Sequence, residues 1–224
     1  MSIMTVQMHG KQPKIGEIHL KPEETPYQQV GVDTARGAYS LRGLLGWVQQ
    51  TRQFSKNYPL KLDIGFFANL IDLGNGQSLA ISTDGVGTKI LIAEMMDKYD
   101  TIGIDCIAMN AGDVLCTGAK PVTLVDYLAV EQPDERLLEE IGKGLYQGAK
   151  ESDITISGGE LAQLPDMIKG YRKEKGFDLV GTCVGLVDSD KIITGRNLAP
   201  GDEIIGLKSS GIHSNGLTLA ERFY

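Results

Sequence analysis

Leu79-Ala-Ile-Ser-Thr-Asp-Gly-Val-Gly-Thr-Lys89 ends a short apolar run in Ser82, Thr83 and Asp84, then passes two glycines one residue apart into an amphipathic segment. That order reads as strand, tight loop and helix. Glycines at such a bend let helix-initial amides face an anion directly, and Lys89 adds a positive charge there. Asp84 would repel a phosphate in that cradle unless a divalent cation sat between them, so the loop predicts a metal nucleotide. On its own an Asp-Gly pair after a strand is more often a plain turn. A Walker loop needs Gly-Lys-Ser/Thr, and Gly87-Thr88-Lys89 has the order reversed. A dinucleotide fingerprint matches Gly85, Gly87 and a later Asp105, but Ile90 stands where its third small residue belongs.

Upstream of the loop, Ile64–Leu73 and Ser78–Ser82 read as two strands joined by the Gly74-Asn75-Gly76 turn. Before them, Ser40 to Phe54 places Leu41, Leu44, Leu45 and Val48 on one helical face with Ser40 as N-cap, and Tyr27–Gly37 is a glycine-bearing polar segment able to fold over a ligand. Downstream, Lys89–Tyr99 and Thr101–Gly118 predict two helices, the second with Ile104, Ile107, Ala108, Ala111 and Leu115 at helical spacing. Asn110 and Asp113 share a neighbouring face of that helix. Pro121–Val130 is an apolar strand broken by Asp126, Asp134 caps a following helix, and Ile154–Ser157 is a short strand stopping at Gly158-Gly159-Glu160. Leu161–Gly176 is a polar excursion, Phe177–Val187 a strand with alternating glycines, and Glu203–Leu207 a further strand leading to a helix that opens at Leu217.

The chain has 224 residues, 22 basic and 29 acidic, a net charge of −7. No dense basic stripe is present, which argues against nucleic-acid binding and for a small ligand. Cys106, Cys116 and Cys183 are scattered, without a Cys-x-x-Cys pair, as buried thiols in a reducing compartment are. No apolar run approaches a bilayer span and no secretory core opens the chain, so the expected location is cytoplasmic, with no membrane partner. His9, His19 and His213 are too dispersed for a zinc motif.

Three acids from different elements, Asp84, Asp113 and Glu160, sit beside glycines or on a polar helix face. Singly, each reads as a solvated carboxylate. If they converge, two carboxylates about 4 Å apart repel by roughly 4 kcal/mol at an effective dielectric near 20, and the cluster needs a cation. Oxygen-only donors suit Mg2+ completed by the phosphates of ATP.

Together, Ser-Thr-Asp-Gly-Val-Gly-Thr-Lys (82–89), Gly-Ile-Asp (103–105) with Ala-Met and Asp113 after it, Gly-Ala-Lys-Pro (118–121), Asp126-Tyr127, Gly-Gly-Glu (158–160) and Ser-Ser-Gly-Ile-His-Ser-Asn-Gly (209–216) resemble the aminoimidazole ribonucleotide synthetases, also called phosphoribosylformylglycinamidine cyclo-ligases. The motifs follow that family's order from Tyr27 to the last residue. Selenophosphate synthetases, of the same fold, carry an N-terminal reactive Cys or selenocysteine that is missing here.

The resemblance implies an α/β (α+β) N-terminal domain, a mixed sheet packed with helices, whose sheet pairs with that of a second subunit in a homodimer. It implies an ATP-binding domain at 27–199 and the beginning of a truncated second domain at 200–224, while residues 1–26, mixing Pro, Gly, Lys, Glu and Gln without periodicity, read as a polar leader. Mg2+ would be held by Asp84, Asp113 and Glu160, which with Lys89 form the catalytic set. ATP would be bound by Gly85, Val86, Gly87, Thr88 and Lys89, with Asn110, Asp126, Gly158 and Gly159. Ser210, Gly211, His213, Ser214 and Asn215 would take the ribose phosphate of formylglycinamidine ribonucleotide. Two positions depart from the family pattern. Gly112 stands where an Asn usually precedes the Asp, and Leu161 and Gln163 follow Gly-Gly-Glu in place of threonine and glutamate. A noncatalytic nucleotide-binding or dimerisation module, and another phosphoryl transferase of the same fold, are the competing readings.

Overall fold

A computed structural model of the chain describes residues 25–220. Its centre is a five-stranded mixed sheet built from β1 (Asn69–Asp72), β2 (Gln77–Gly85), β3 (Lys120–Val130), β4 (Thr155–Gln163) and β5 (Phe177–Asp188), in the order β1-β2-β5-β3-β4. Only β3 and β4 run parallel; the other neighbours are antiparallel. The parallel pair is the one joined by a long helix, as a crossover requires. The expected hairpin is β1–β2. Gly74 and Gly76 take φ of 76° and 86° at its turn, a region that only glycine enters without strain. β1 begins at Asn69 rather than Ile64, because the preceding residues make only isolated bridges.

Two helices cover one face. α4 (Ile102–Leu115) lies on β5, β2 and β3, and α5 (Glu135–Ser152) packs on α4. Asp134 caps α5 as expected, its carboxylate accepting from Leu137 N at 2.8 Å. The core forms between α4 and the sheet, where Ile107, Val114, Leu70, Leu124, Leu179 and Cys183 are all fully buried. The alternating glycines of β5 explain how α4 comes so close: a Cβ at Gly181 would stand 2.6 Å from Asn110 Nδ2. The helices meet in the same way, through Gly103 on α4 and Gly144 and Gly148 on α5. On the other face Ile81, Val125, Tyr127 and Leu186 are exposed.

Several boundaries differ from expectation. Residues 27–37 are mostly ordered, into α1 (Pro26–Gln29) and the first turn of α2 (Thr34–Val48). The N-cap of α2 is Asp33, which accepts from Arg36 N at 2.9 Å, so Ser40 lies mid-helix; nothing between Thr34 and Ser40 breaks the helix. The stripe of α2 is not buried: Leu41, Leu44 and Val48 are 48%, 59% and 41% exposed. β4 runs through Gly158-Gly159-Glu160 instead of stopping there, because its ladder with β3 continues to Val130↔Gln163. Residues 203–207 form no strand, since neither edge strand pairs with them. Most of the leader, residues 1–24, lies outside the described residues. α3 (Lys89–Met96) and α6 (Leu217–Ala220) open where expected.

The polar excursion after β4 is strapped down by charge. Lys169 pairs with Glu131, Arg172 with Asp97 and Lys175 with Asp134. Beneath it Glu94 of α3 is 1% exposed; one carboxylate oxygen accepts from Arg172 N at 3.1 Å and the other has no partner. Burial raises the pKa of Glu94 above its ordinary value, against the backbone donors that favour its charged form. A raised folded-state pKa means that stability from the neutral acid is complete below the unfolded value of 4.5 and is lost as pH rises through the folded value. Asp97, Glu131 and Asp134 are all shifted downward by their cationic partners, so they stay ionised from pH 5 to 8. Urea unfolding across that window is therefore expected to show stability falling with pH. In Glu94→Gln the fall is shallower by about 1 kcal/mol, the usual scale for an unsatisfied buried polar atom.

Candidate functional site

The site forms where β2 ends against α4. Asp84, Gly181, Asp126 and Gly159 are register partners on four adjacent strands, β2, β5, β3 and β4. Side chains of paired residues share a face, and the Gly181 contact with Asn110 shows that this row faces α4. Gly159 leaves the space that the Asp126 carboxylate occupies, since any Cβ there would overlap it. Asp126 is half-buried, and burial raises its pKa. One turn apart on α4, Asn110 holds the backbone of Asp84 and Asp113 approaches Ser82, whose hydroxyl lies 3.0 Å from its Oδ2. The Asp113 pKa is raised, chiefly by burial and further by the charge of Asp84, while the Ser82 hydroxyl opposes the shift. Cys106, fully buried below the row, has its thiol pushed up to about 12 by burial and then by Asp126, Asp84 and Asp105. It is a packing residue, inert as a nucleophile.

After Asp84 the backbone turns. Gly85 N donates to the Asp84 carboxylate at 2.8 Å, and Val86 N donates to Leu179 O at 3.0 Å. Gly87, at φ 71°, supplies the left-handed bend. Thr88 precedes α3 without capping it by its side chain; Ile90 N and Leu91 N donate to Gly87 O and Thr88 O, so at the start of α3 it is the Lys89 amide that is left to an external acceptor. Lys89 points back to Asp105 on α4, at 2.7 Å. The Thr88 hydroxyl meets that of Thr218 on α6 at 3.2 Å, which fastens the end of the 209–216 segment beside the loop. Within that segment His213 Nε2 lies 3.3 Å from Ser209 Oγ and 3.5 Å from Ser210 Oγ. Gly211 N donates to Ser209 Oγ; Ser214 and Asn215 continue the chain into α6.

The expected residues therefore separate into those that meet and those that do not. Asp84 and Asp113 come together, with Asp126 in the same row. Glu160 does not: it pairs with Tyr127, one residue out of phase with Asp126, and so faces the side of the sheet away from α4. Among the described residues no three His, Cys, Asp or Glu side chains are grouped to hold a metal ion. The three-acid cluster is thus corrected to a two-carboxylate one, because strand alternation turns the third acid away. Two hard oxygen donors still fit Mg2+, which takes one or two carboxylates and completes its shell with phosphates and water. Three nucleotide assignments change as well, two through burial and backbone hydrogen bonds and one through strand alternation. Val86 is 2% exposed and its amide is used by Leu179, and the fully buried Asn110 amide is used by backbone groups, so neither can reach a ligand. Gly158 is exposed on the Val125 row, away from the acids. Ser82, Asp105, Gly181 and Thr218 were not singled out as site residues. Gly181 had a signal in the glycine alternation of β5, and Ser82 and Asp105 lie inside the family motifs; their roles, like that of Thr218, were hidden because the pairings span 16 to 130 residues.

No helix of the described residues is long and apolar enough to cross a membrane. Residues 67–187 match the family model of the AIR synthase related protein, N-terminal domain. The chain is 52% identical over 200 residues to a phosphoribosylformylglycinamidine cyclo-ligase of Pyrococcus furiosus, and 53% over 196 residues to that of Methanobrevibacter smithii. Each match covers 88% of this chain, and 57% and 55% of the respective relative, so the chain spans little more than half the length of these relatives. The fold also resembles PurLQS from Thermotoga maritima, with a TM-score of 0.55, 13% identity, and 84% of this chain and 28% of that one covered. The sheet order, the loop after β2 and the matched span together make this chain a member of the AIR synthase related family, whose N-terminal domain its residues 67–187 form.

Proposed function

We propose that this chain is the ATP-binding part of an aminoimidazole ribonucleotide synthetase, acting in the cytoplasm as a homodimer. Its reaction would be the ATP-dependent closure of formylglycinamidine ribonucleotide to aminoimidazole ribonucleotide in purine biosynthesis. The observation that carries the reading is the juxtaposition of Asp84 and Asp113 with an uncapped helix start at Thr88–Lys89. About 50% identity to cyclo-ligases supports the choice of reaction.

In that reading the Gly87, Thr88 and Lys89 amides receive phosphate oxygens at the positive end of α3. Lys89 exchanges Asp105 for a phosphate. Asp84 and Asp113 would hold Mg2+, which when bound neutralises phosphate charge and fixes the γ-phosphate for transfer. The formyl oxygen of the substrate attacks the γ-phosphorus and ADP leaves; the ring-forming nitrogen then attacks the formyl carbon and the oxygen leaves as phosphate. An amide oxygen is a poor leaving group until it carries that phosphate, so positioning and charge neutralisation supply most of the catalysis. Residues 209–215, fastened next to the loop through α6, would take the substrate's ribose phosphate, and residues 200–224 would begin a second domain. The exposed sheet face bearing Ile81, Val125, Tyr127 and Leu186 suits the subunit contact.

The competing reading is a nucleotide-binding or dimerisation module without turnover of its own. The two readings are separated by incubating the chain with ATP, Mg2+ and formylglycinamidine ribonucleotide and following ADP release. Release with this substrate and none with thiamine monophosphate supports the cyclo-ligase. ATP binding without release supports the module, and absence of ATP binding at millimolar concentration overturns both.

A further inference from the structure

Asn110 is fully buried in the middle of α4, one of six polar or charged residues so enclosed among the described ones. A buried primary amide must find partners for two donors and an acceptor. Here every one of those partners is main chain. Oδ1 accepts from Asp84 N at 2.9 Å, and Nδ2 donates to Asp84 O at 3.1 Å and to Cys106 O at 2.9 Å. The side chain thus treats the Asp84 peptide unit as a neighbouring strand would, at the point where β2 is about to leave the sheet. It can do so only because the opposing residue of β5 is Gly181, whose missing Cβ leaves the notch that the amide fills.

We infer that Asn110 is a positioning residue that fixes the direction of the Asp84 carboxylate by gripping both polar groups of its backbone. With N and O of Asp84 held from α4 and Oδ1 of its carboxylate held by Gly85 N, Asp84 has little rotational freedom left, and its second oxygen is the one free to meet a ligand. Asp113 lies three residues along the same helix, so one rigid element sets both acids. The Asn110 amide never touches the ligand; it acts through Asp84. This inference rests on the nucleotide reading for what the carboxylate does, but the grip itself does not.

The test has two readouts, amide hydrogen exchange by NMR and calorimetric ATP titration with Mg2+ or with EDTA, on the 224-residue chain. In the wild type the Asn110 side-chain amide protons are expected to exchange at least about 100-fold more slowly than those of exposed Asn75, as enclosed and hydrogen-bonded protons do. Asn110→Ala is expected to speed exchange at Asp84 at least about tenfold more than at Leu124 in the core. The same variant should weaken ATP binding with Mg2+ by about tenfold or more while leaving binding in EDTA unchanged. Gly181→Ala pushes a methyl against Nδ2 and should reproduce the same selective loss, so either folded variant is sufficient. A uniformly destabilised chain, with Asp84 no more affected than Leu124, overturns the inference, as does rapid exchange of the wild-type Asn110 amide. Should wild type fail to bind ATP with Mg2+, the nucleotide reading falls and the exchange rates alone decide whether the grip exists.

Discussion

Gly103→Ala is expected to destabilise the chain by about 3 kcal/mol, the upper part of the range for overpacking a core. The added Cβ would overlap the backbone of α5, with Leu145 N, Gly144 C and Ile141 O as its nearest atoms. A side chain in the way could rotate aside, whereas a backbone in a buried helix cannot, so α4 and α5 must separate. Gly144 faces the same contact from the other helix, where a Cβ would stand 2.6 Å from Asp100 O. Separation loosens the layer that holds Asn110 and Asp113 against β2, so stability and site geometry fail together. Gly142, two residues away on α5, is exposed with nothing near its missing side chain. Gly142→Ala should stabilise by about 1 kcal/mol through helix propensity alone. Urea unfolding of the two variants side by side checks the account, since opposite signs are predicted for one chemical change on two packed helices.

The second large effect concerns the acids. Asp84→Asn and Asp113→Asn are each expected to weaken ATP binding in Mg2+ on the order of 100-fold, about 2.7 kcal/mol. Binding in EDTA should be unchanged or slightly tighter, because a negative charge next to the phosphates has been removed. Glu160→Gln is the control. It lies on the other face of the sheet and should alter affinity by less than about threefold, under 0.7 kcal/mol. Equal affinity for ATP in wild type and Asp84→Asn would remove the metal-nucleotide reading altogether.

Most of the architecture could be read from periodicity and punctuation. The hairpin, α3, α4, α5, β3 and β5 fall where apolar spacing, glycines and Asp134 put them, although α4 buries only Ile107 and Ala111 of its predicted stripe and leaves Ala108 and Leu115 exposed, because the face it turns to the sheet also carries Cys106, Asn110 and Val114. The misses have a common cause, in that they depend on partners far along the chain. Whether Glu203–Leu207 pairs, whether the stripe on α2 is covered, and whether β4 stops at Gly158 are decided by the neighbours and not by local residues. For the site, the loop was legible since Asp84, Gly87 and Lys89 announce a turn, an anion cradle and a charge. Convergence was only half legible. Asp113 meets Asp84 because a helix crosses the strand end, but the phase of Glu160 depends on how β4 registers against β3, and extending the strand through the glycines is what turned it away. Asn110 shows the opposite error: its place near the loop was readable, and its role was not, because burial decides whether an amide serves a ligand or the backbone.

The central claim is that Asp84 and Asp113 jointly hold a divalent ion that carries the triphosphate, and its location can be measured directly. Mn2+ added with ATP to the isotope-labelled chain should broaden the amide resonances of Gly85, Gly87 and Asp113 before those of any other residue, with Glu160 affected less. Broadening centred elsewhere, or none that requires ATP, would contradict it.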